Sequence, residues 1–311
     1  DGLIRPDYSN YGDWLSIDAD TPKDVLATAY FAYSTRLMAR IAEALGKPDE
    51  QARYEALYRE IAAAFRAAFV DENGRIKGDT QTVYVLALQF DLLTEELRGK
   101  AIGHLVADIE RRGGCLSTGF LGVGYLLPAL TEGGRLDVAY RLLVQDKFPS
   151  WMYSIRHGAT TIWERWDGWT EEKGFQDPSM NSFNHYSLGS VGEWMYRYMA
   201  GIEADPAHPG FARAIIRPRP GGPIREVKAA YESLRGPIRV EWNHGERGAF
   251  RLRVEIPANA EAVVEVPGSA ARCLAESGWS QVSESSAGVK FHIGSGEYHF
   301  ESFLDVQADN I

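Results

Sequence analysis

The stretch Asp205-Pro206-Ala207-His208-Pro209-Gly210 separates two different hydrophobic patterns. Before it, up to about residue 202, apolar residues recur mostly at helical spacing. After it the period falls to two, most clearly over residues 250–256, where apolar and charged side chains alternate. The sequence therefore predicts a helical domain over residues 1–204 and a β-domain over residues 205–311.

The first helix begins at Thr21-Pro22-Lys23-Asp24, an N-cap residue followed by proline at the first helical position, and it stops at Gly46. Spacing of four along one face marks it as amphipathic. The residues of that face are Val25, Ala29, Tyr33, Leu37 and Ile41. Further helices are predicted near 49–70, 80–92, 95–110, 120–131, 134–146 and 183–202. They follow in pairs joined by short loops, as in a toroid of helical hairpins.

Short strands alternate with turns beyond residue 210. Turn sequences such as Asn243-His244-Gly245 and Pro267-Gly268 separate them. This succession predicts a β-sandwich of about 100 residues. The predicted strands lie near 214–217, 226–232, 237–242, 250–256, 261–266, 288–293 and 297–303.

Composition and charge narrow the function classes. The 311 residues are 45% apolar and 12% aromatic, as in a globular protein with an excess of aromatic side chains. The net charge of −10 argues against a nucleic-acid partner. No window approaches the roughly 18 apolar residues of a membrane-spanning helix, so we expect no membrane partner. The compartment is left open, with a soluble cytoplasmic protein slightly favoured. Cys115 and Cys273 are expected to be reduced structural thiols.

Residues 151–194 form the chemical centre, because they contain five of the eight tryptophans. Trp163, Trp166 and Trp169 alternate with charged residues, which is not the pattern of a helix core. The segment predicts a long irregular loop positioned by flanking helices. Such surfaces bind sugars, since aromatic rings cover their C–H faces and polar side chains bind their hydroxyls. Packing is the alternative, and we favour it for Trp194.

Glu164 is the best catalytic candidate in this segment. Two carboxyl groups assist the cleavage of a glycosidic bond: one protonates the leaving oxygen, and the other activates water or attacks directly. Asp167 or Glu171 could be the second carboxylate that pairs with Glu164. For each of these acidic residues, the alternative interpretation is a solvated surface charge without a catalytic role. The stretch Tyr11-Gly12-Asp13-Trp14-Leu15 also places a carboxylate beside an indole.

Three motifs follow one another along the chain: Gly12-Asp13-Trp14-Leu15, Gly158-Ala159-Thr160-Thr161-Ile162-Trp163-Glu164-Arg165-Trp166 and Asn181-Ser182-Phe183-Asn184-His185-Tyr186. In order and spacing they resemble glycoside hydrolase family 78, the bacterial and fungal α-L-rhamnosidases. Ala214-Ile215-Ile216-Arg217-Pro218-Arg219-Pro220 resembles the start of that family's C-terminal β-domain. The resemblance implies an (α/α)6 barrel and inverting hydrolysis of terminal α-L-rhamnose, without a metal or organic cofactor.

The resemblance also implies roles for individual residues. Glu164 matches the general base, which deprotonates the attacking water. Trp14 matches a tryptophan that lines the rhamnose pocket, and His185 matches a histidine that contacts the sugar; anchoring of the last helix is the alternative for His185. Asp13 is a further candidate for a hydroxyl contact. The substrate-binding residues predicted in this way are Asp13, Trp14, Trp163, Trp166 and His185.

The chain departs from the family pattern in one feature, which concerns whether the helical barrel is complete. The family's general acid lies in an Asp- and Arg-rich motif upstream, and the chain has no counterpart of it. About seven or eight helices precede residue 205, whereas six hairpins contain twelve. We therefore interpret the chain as an incomplete (α/α)6 barrel followed by a β-sandwich, weakly active or inactive alone. The missing N-terminal part of the same enzyme, or self-association, would cover its apolar faces.

Two other function classes stay open at this point. A carbohydrate-binding or scaffold fragment would keep the aromatic surface without any chemistry. Another (α/α)6 sugar enzyme, such as a glucoamylase-like hydrolase or a polysaccharide lyase, is the third interpretation. A lyase needs a base beside a charge neutraliser, and Tyr153, Arg156 and His157 lie close enough in sequence to supply them.

Overall fold

The computed structural model describes residues 2–7, 11–245, 247–285 and 288–304. The chain divides into two compact units, Asp1–Val191 and Gly192–Ile311. Helices dominate the first unit and β-sheet the second, so the predicted fold class is confirmed. The domain boundary between residues 204 and 205 stays a prediction.

The six helices predicted between residues 21 and 146 are confirmed, and one more helix follows them. The added helix is α7 (Trp151–Arg156), which lies in a segment that the tryptophan pattern predicted to be irregular. No helix in the described part of the chain is both long and apolar enough to cross a membrane. The helices are α1 (Lys23–Ala44), α2 (Pro48–Phe69), α3 (Gln81–Gln89), α4 (Glu95–Arg111), α5 (Phe120–Glu132), α6 (Leu136–Val144) and α7 (Trp151–Arg156).

Helix α3 forms the centre of the first unit. It packs against both α4 and α5, and every residue from Gln81 to Leu88 is buried. A helix that is enclosed on all sides needs partners for its polar groups as well. The amide of Gln81 donates to Asp108 at 2.9 Å and its oxygen accepts the N–H of Ser117 at 2.9 Å. These bonds fix the segment that leads into α5.

Helix α1 packs against α2, and its buried face differs in part from the predicted one. Val25 and Ala29 are buried as expected, but Leu37 and Ile41 are 37% and 50% exposed. Alanines, including Ala39, are buried in their place, because small side chains allow two helices to approach closely. The C-terminal half of α1 thus leaves an apolar stripe in solvent.

The last predicted helix, 183–202, is shorter and irregular. Residues 183–186 are not helical; a 3-10 turn spans Ser187–Ser190, α8 spans Val191–Trp194 and a π-helix spans Met195–Ala200. Gly201, with φ of 86°, ends the π-helix in a left-handed conformation that favours glycine. Hydrophobic periodicity alone does not distinguish these helix types, which accounts for the difference.

The second unit contains two five-stranded sheets. Every predicted strand is confirmed, and three further strands were not predicted: β3 (Ile202–Ala204), β9 (Ser269–Cys273) and β10 (Trp279–Ser285). Strand β10 is exposed on both faces, so its sequence lacks any alternation. A short hairpin, β1 (Trp169–Thr170) with β2 (Gly174–Phe175), belongs to the first unit. One sheet has the order β10 (Trp279–Ser285), β11 (Gly288–Ile293), β8 (Glu261–Pro267), β4 (Arg213–Ile216) and β3 (Ile202–Ala204). The other has the order β5 (Glu226–Ser233), β6 (Gly236–His244), β7 (Ala249–Ile256), β12 (Gly296–Phe303) and β9 (Ser269–Cys273).

The two sheets pack face to face as a β-sandwich. Alternate residues of β7 are buried between them, from Phe250 to Ile256. Phe291 of β11 contacts Phe300 of β12 across the two sheets, with ring centroids 5.2 Å apart. Both cysteines are free thiols, Cys115 being buried and Cys273 half-buried.

Candidate active site

Glu164 is held by a reciprocal pair of backbone hydrogen bonds. Its N–H donates to the carbonyl of Ser182 at 2.8 Å, and the N–H of Ser182 donates to Oε2 of Glu164 at 2.9 Å. The side chain is half-buried, and its Oε1 accepts no hydrogen bond from the described residues. One carboxylate oxygen is therefore fixed, while the other can accept a hydrogen bond from water or a ligand.

His185 lies close in sequence to Ser182, and hydrogen bonds and stacked rings hold it in position. Its backbone N–H donates to the carbonyl of Ile162 at 2.8 Å. Its Nδ1 accepts the N–H of Ser187 at 3.3 Å, so the neutral imidazole carries its proton on Nε2. The ring stacks on Phe120 and on Tyr186, at centroid distances of 5.2 and 4.9 Å. The arrangement leaves His185 able to donate a hydrogen bond from Nε2.

The loop that carries Trp14 rests on the start of α5. The N–H of Phe120 donates to the carbonyl of Trp14 at 2.9 Å. A side chain at Gly119 would place Cβ only 2.2 Å from that carbonyl oxygen, so the close approach requires glycine. Because Phe120 also stacks on His185, the contacts bring the Trp14 loop to the segment that contains His185 and, through Ser182, Glu164. A cavity of about 320 Å³ opens beside the loop, lined by Tyr11 and Trp14 among others.

Asp13 anchors this loop from inside the protein. Its carboxylate accepts hydrogen bonds from the hydroxyl of Thr82 and from the N–H groups of Gly119, Leu121 and Gly122. These amides belong to the N-terminal end of α5, where a helix leaves its N–H groups unpaired. Burial raises the pKa of Asp13, and the four hydrogen bonds oppose that rise. The residue is 6% exposed, so its carboxylate is enclosed by protein.

The two tryptophans that flank Glu164 are almost completely buried. Trp163 is 8% and Trp166 is 5% exposed. Trp166 donates from Nε1 to the carbonyl of Thr118 at 2.9 Å and contacts Trp151 edge-on at 5.4 Å. Trp163 contacts Phe183 edge-on at 5.1 Å. Trp166 therefore packs the loop against α7, Trp163 packs within the loop, and both rings present little surface to a sugar.

The other acidic candidates are paired with basic side chains. Asp167 forms two hydrogen bonds with Arg165, at 2.9 and 3.1 Å, and a third with Gln176. Glu171 pairs with Nε2 of His157 at 3.1 Å. This hydrogen bond raises the pKa of His157 above its ordinary value. Among the described residues, both oxygens of Asp167 thus accept hydrogen bonds, whereas Glu164 and Glu171 each keep one available. Glu164 differs from Glu171 in being half-buried, since the Glu171 side chain is 77% exposed.

Comparison with known proteins agrees with this architecture. Residues 2–199 match the family model of the bacterial α-L-rhamnosidase 6 hairpin glycosidase domain. The chain belongs to the bacterial α-L-rhamnosidase family. Residues 201–280 match the model of the bacterial α-L-rhamnosidase C-terminal domain, so both parts of the chain have counterparts in the family.

Individual family members are similar to most of the chain. An α-L-rhamnosidase of Streptomyces avermitilis is 47% identical over 96% of this chain and 28% of that protein. A crystal structure of a Streptomyces avermitilis α-L-rhamnosidase complexed with L-rhamnose gives a TM-score of 0.89, covering 97% of this chain and 29% of that one. Native α-L-rhamnosidase from Aspergillus terreus gives 0.84 at 31% identity, covering 97% and 34%. The chain thus spans about a third of the length of these rhamnosidases.

Family membership gives no support to the lyase interpretation, and the residues proposed for it are otherwise engaged. Arg156 pairs with Asp146 at 2.5 Å, and the hydroxyl of Tyr153 accepts the N–H of Glu171 at 3.2 Å. Across residues 2–7, 11–245, 247–285 and 288–304, no group of three or more His, Cys, Asp or Glu is arranged to hold a metal ion.

Two residues that position the candidate site, Ser182 and Phe120, were not predicted to do so from the sequence. Ser182 was quoted within a motif, but its backbone N–H acts on Glu164 and carries no side-chain signal. Phe120 stacks on His185 from a position 65 residues earlier, at the first turn of a predicted helix. The glycine at position 119 was a possible signal in the sequence, because a glycine immediately before a helix permits close backbone contact, as it does here with Trp14.

Proposed function

We propose that this chain supplies the general base and part of the sugar-binding surface of an α-L-rhamnosidase, which removes terminal α-L-rhamnose from a glycoside with inversion. Residues 1–204 would carry the site, and residues 205–311 would form the accompanying β-sandwich domain. The observation that carries the proposal is the half-buried carboxylate of Glu164, with Oε2 bound by Ser182 and Oε1 available. The family of the chain and the L-rhamnose complex of a relative support the choice of sugar.

The reaction follows from the geometry of a single carboxylate. Oε1 of Glu164 accepts a proton from a water molecule while the oxygen of that water attacks the anomeric carbon. The bond between the anomeric carbon and the glycosidic oxygen breaks in the same step. The hydrogen bond from Ser182 to Oε2 fixes the carboxylate direction. His185 donates from Nε2 to a sugar hydroxyl, and the Trp14 indole covers a C–H face.

The leaving oxygen also needs a proton, and we propose that its donor is not among these 311 residues. Asp13 is enclosed by four donors, while Asp167 and Glu171 are paired with Arg165 and His157. General acid assistance is worth about 10²–10⁴-fold in rate. The chain alone should therefore hydrolyse ordinary glycosides slowly.

A leaving-group comparison tests both parts of the proposal. A 2,4-dinitrophenyl α-L-rhamnoside releases a stable anion and needs no acid, whereas a methyl α-L-rhamnoside does. We expect the 311-residue chain to hydrolyse the first and not measurably the second. Early proton NMR spectra should show the β-anomer of rhamnose as the first product. Initial release of the α-anomer would contradict inversion, and rapid hydrolysis of both substrates would reveal an acid in the chain.

Substitution at the carboxylates assigns the base. Glu164→Gln should lower turnover of the activated substrate by about 10²–10⁴-fold, because the amide cannot accept the proton. Glu171→Gln is the matched control, since that acid belongs to the same segment and is exposed, and it should leave the rate within twofold. Rhamnose binding without turnover in the unmodified chain would instead assign it to the carbohydrate-binding class.

A further inference from the structure

The second unit contains a cavity of about 640 Å³ that the proposed reaction does not use. Its size falls within the range of roughly 300–1,000 Å³ that is typical of small-molecule sites. All of its lining residues belong to the second unit, on the π-helix, β3, β5 and the segments beside them. Those that determine its chemistry are Glu193, Tyr196, Arg197, Glu203, Phe211 and Tyr231.

Aromatic rings form one side of the cavity. Tyr196 and Tyr231 are 45% and 40% exposed, although large aromatic side chains gain most from burial. Tyr231 contacts Phe211 at a centroid distance of 4.8 Å and Tyr196 at 6.4 Å. The hydroxyl of Tyr196 donates to the carbonyl of Ala230 at 3.3 Å, which fixes its ring. The three rings therefore form a continuous, ordered and accessible apolar surface.

Two unusual backbone conformations place these side chains. Phe211 has φ of 56°, in the left-handed region that a bulky residue rarely adopts. Tyr196 and Arg197 belong to the π-helix Met195–Ala200, a helix type that is rare and occurs frequently at functional sites. Strained or rare backbone persists where the surrounding structure or a function requires it. Both departures here orient side chains toward the same cavity.

The charged residues of the cavity favour a neutral, hydroxyl-rich ligand. Glu203 accepts hydrogen bonds from Arg197 and Arg217, each at 3.0 Å, and Glu193 lies 3.6 Å from Arg197. Arg197 is thus shared by two carboxylates, and with Arg217 the cluster contains two carboxylates and two guanidiniums. Carboxylate oxygens accept more than one hydrogen bond each, so they can bind hydroxyls in addition. An anionic sugar gains no net electrostatic attraction from this balanced set of charges.

We propose that this cavity is a second carbohydrate site, which binds one neutral sugar unit by stacking on Tyr231 and Phe211 and by hydroxyl contacts with Glu193 and Glu203. It performs no chemistry, and it does not depend on the proposed hydrolytic function.

Binding is tested on the whole 311-residue chain with the first site disabled by Trp14→Ala and Glu164→Gln together. Ligand-observed NMR titrations would use methyl α-L-rhamnoside, methyl β-D-glucoside and D-glucuronate. At least one of the two neutral glycosides should bind saturably, and glucuronate should bind more weakly. Adding Tyr231→Ala should weaken binding by about fivefold or more, because a stacking surface is lost.

Phe303→Ala is the matched control, because Phe303 is also an exposed aromatic residue of the second unit but does not line the cavity. It should leave the affinity unchanged. Circular dichroism of both variants checks that the sandwich remains folded. The proposal is overturned if neither neutral glycoside binds, if Tyr231→Ala binds as well as the parent, or if glucuronate binds best.

Two further results separate this proposal from its competitors. Sedimentation that shows a dimer in the parent and a monomer in Tyr231→Ala, without sugar binding, would assign the cavity to protein contact and overturn the proposal. Tyr231→Ala in the otherwise unmodified chain should leave hydrolysis of the activated rhamnoside unchanged. Loss of hydrolysis in Glu164→Gln says nothing about the cavity, so the two proposals fail independently.

Discussion

Asp13→Asn is the substitution that most directly tests how the candidate site is held in place. The carboxylate accepts four hydrogen bonds, three of them from N–H groups at the start of α5. An asparagine of the same size keeps one acceptor oxygen and turns an NH2 group toward donors. The change therefore removes acceptors without creating a cavity, and it alters the loop that carries Trp14.

The magnitude follows from the number of bonds lost. Two of the four donors lose their acceptor, and a hydrogen bond to a charged group is worth about 1.5–3 kcal/mol, which gives about 3–6 kcal/mol. Burial raises the pKa of Asp13, so removing the charge recovers part of its desolvation penalty. We expect a net loss of about 3 kcal/mol in the free energy of unfolding of the first unit. In a unit of this size that corresponds to a fall in Tm of about 6–12 °C.

Two measurements check this expectation. Urea unfolding followed by tryptophan fluorescence gives the stability change, and hydrogen exchange of the Leu121 and Gly122 amides reports on the bonds themselves. Asp20→Asn is the matched control, since it makes the same change at an exposed position of the neighbouring loop; it should stay within about 0.5 kcal/mol of the parent. A loss below about 1 kcal/mol in Asp13→Asn, with unchanged exchange of both amides, would refute the reasoning.

Three further predictions concern other contacts. The pKa of His157 is raised in the folded state by Glu171, so its contribution to stability is present below pH 6.5 and is lost as the pH rises through the folded pKa; thermal unfolding of His157→Gln should lack this step. Gly119→Ala should displace the Trp14 loop and reduce rhamnose binding measured by calorimetry, whereas Gly99→Ala, at an open helical position, should not. Trp242→Phe removes the hydrogen bond to the carbonyl of Met199, and denaturant unfolding should show a loss of about 1–3 kcal/mol in the second unit.

Periodicity was a reliable guide in strands that bury one face. The strand β7 alternates buried and more exposed residues, and its position was predicted closely. The strand β10 is exposed throughout, so no alternation marks it. In α1 the stripe of large residues was identified, but the helix buries alanines while Leu37 and Ile41 are exposed. Which of two faces is covered depends on the neighbouring helices, and this information is absent from a local pattern.

The sequence predicted which residues belong to the candidate site, but it did not predict most of the contacts that hold them in place. The motifs identified Glu164, His185 and Trp14, and hydrogen bonds and stacked rings connect the segments that carry them. The position of Asp13 was also identified, but its carboxylate binds N–H groups more than 100 residues away, as the Leu121 bond with a separation of 108 shows. Backbone donors have no sequence signature, so this enclosure could not be predicted.

The buried tryptophans give a physical reason for the aromatic excess of the loop. Residues 157–187 contain only short strands and a 3-10 turn, and their backbone hydrogen bonds join parts of the segment to each other. Side chains connect the segment to the rest of the unit: Trp166 donates a hydrogen bond to Thr118, and Trp151 donates to Leu188 at the far end of the segment. A carboxylate that positions water must be held rigidly, because small displacements lower the rate steeply. The indoles beside Glu164 thus serve the proposed chemistry by ordering its base, which is a different role from the sugar contact that their sequence pattern predicted.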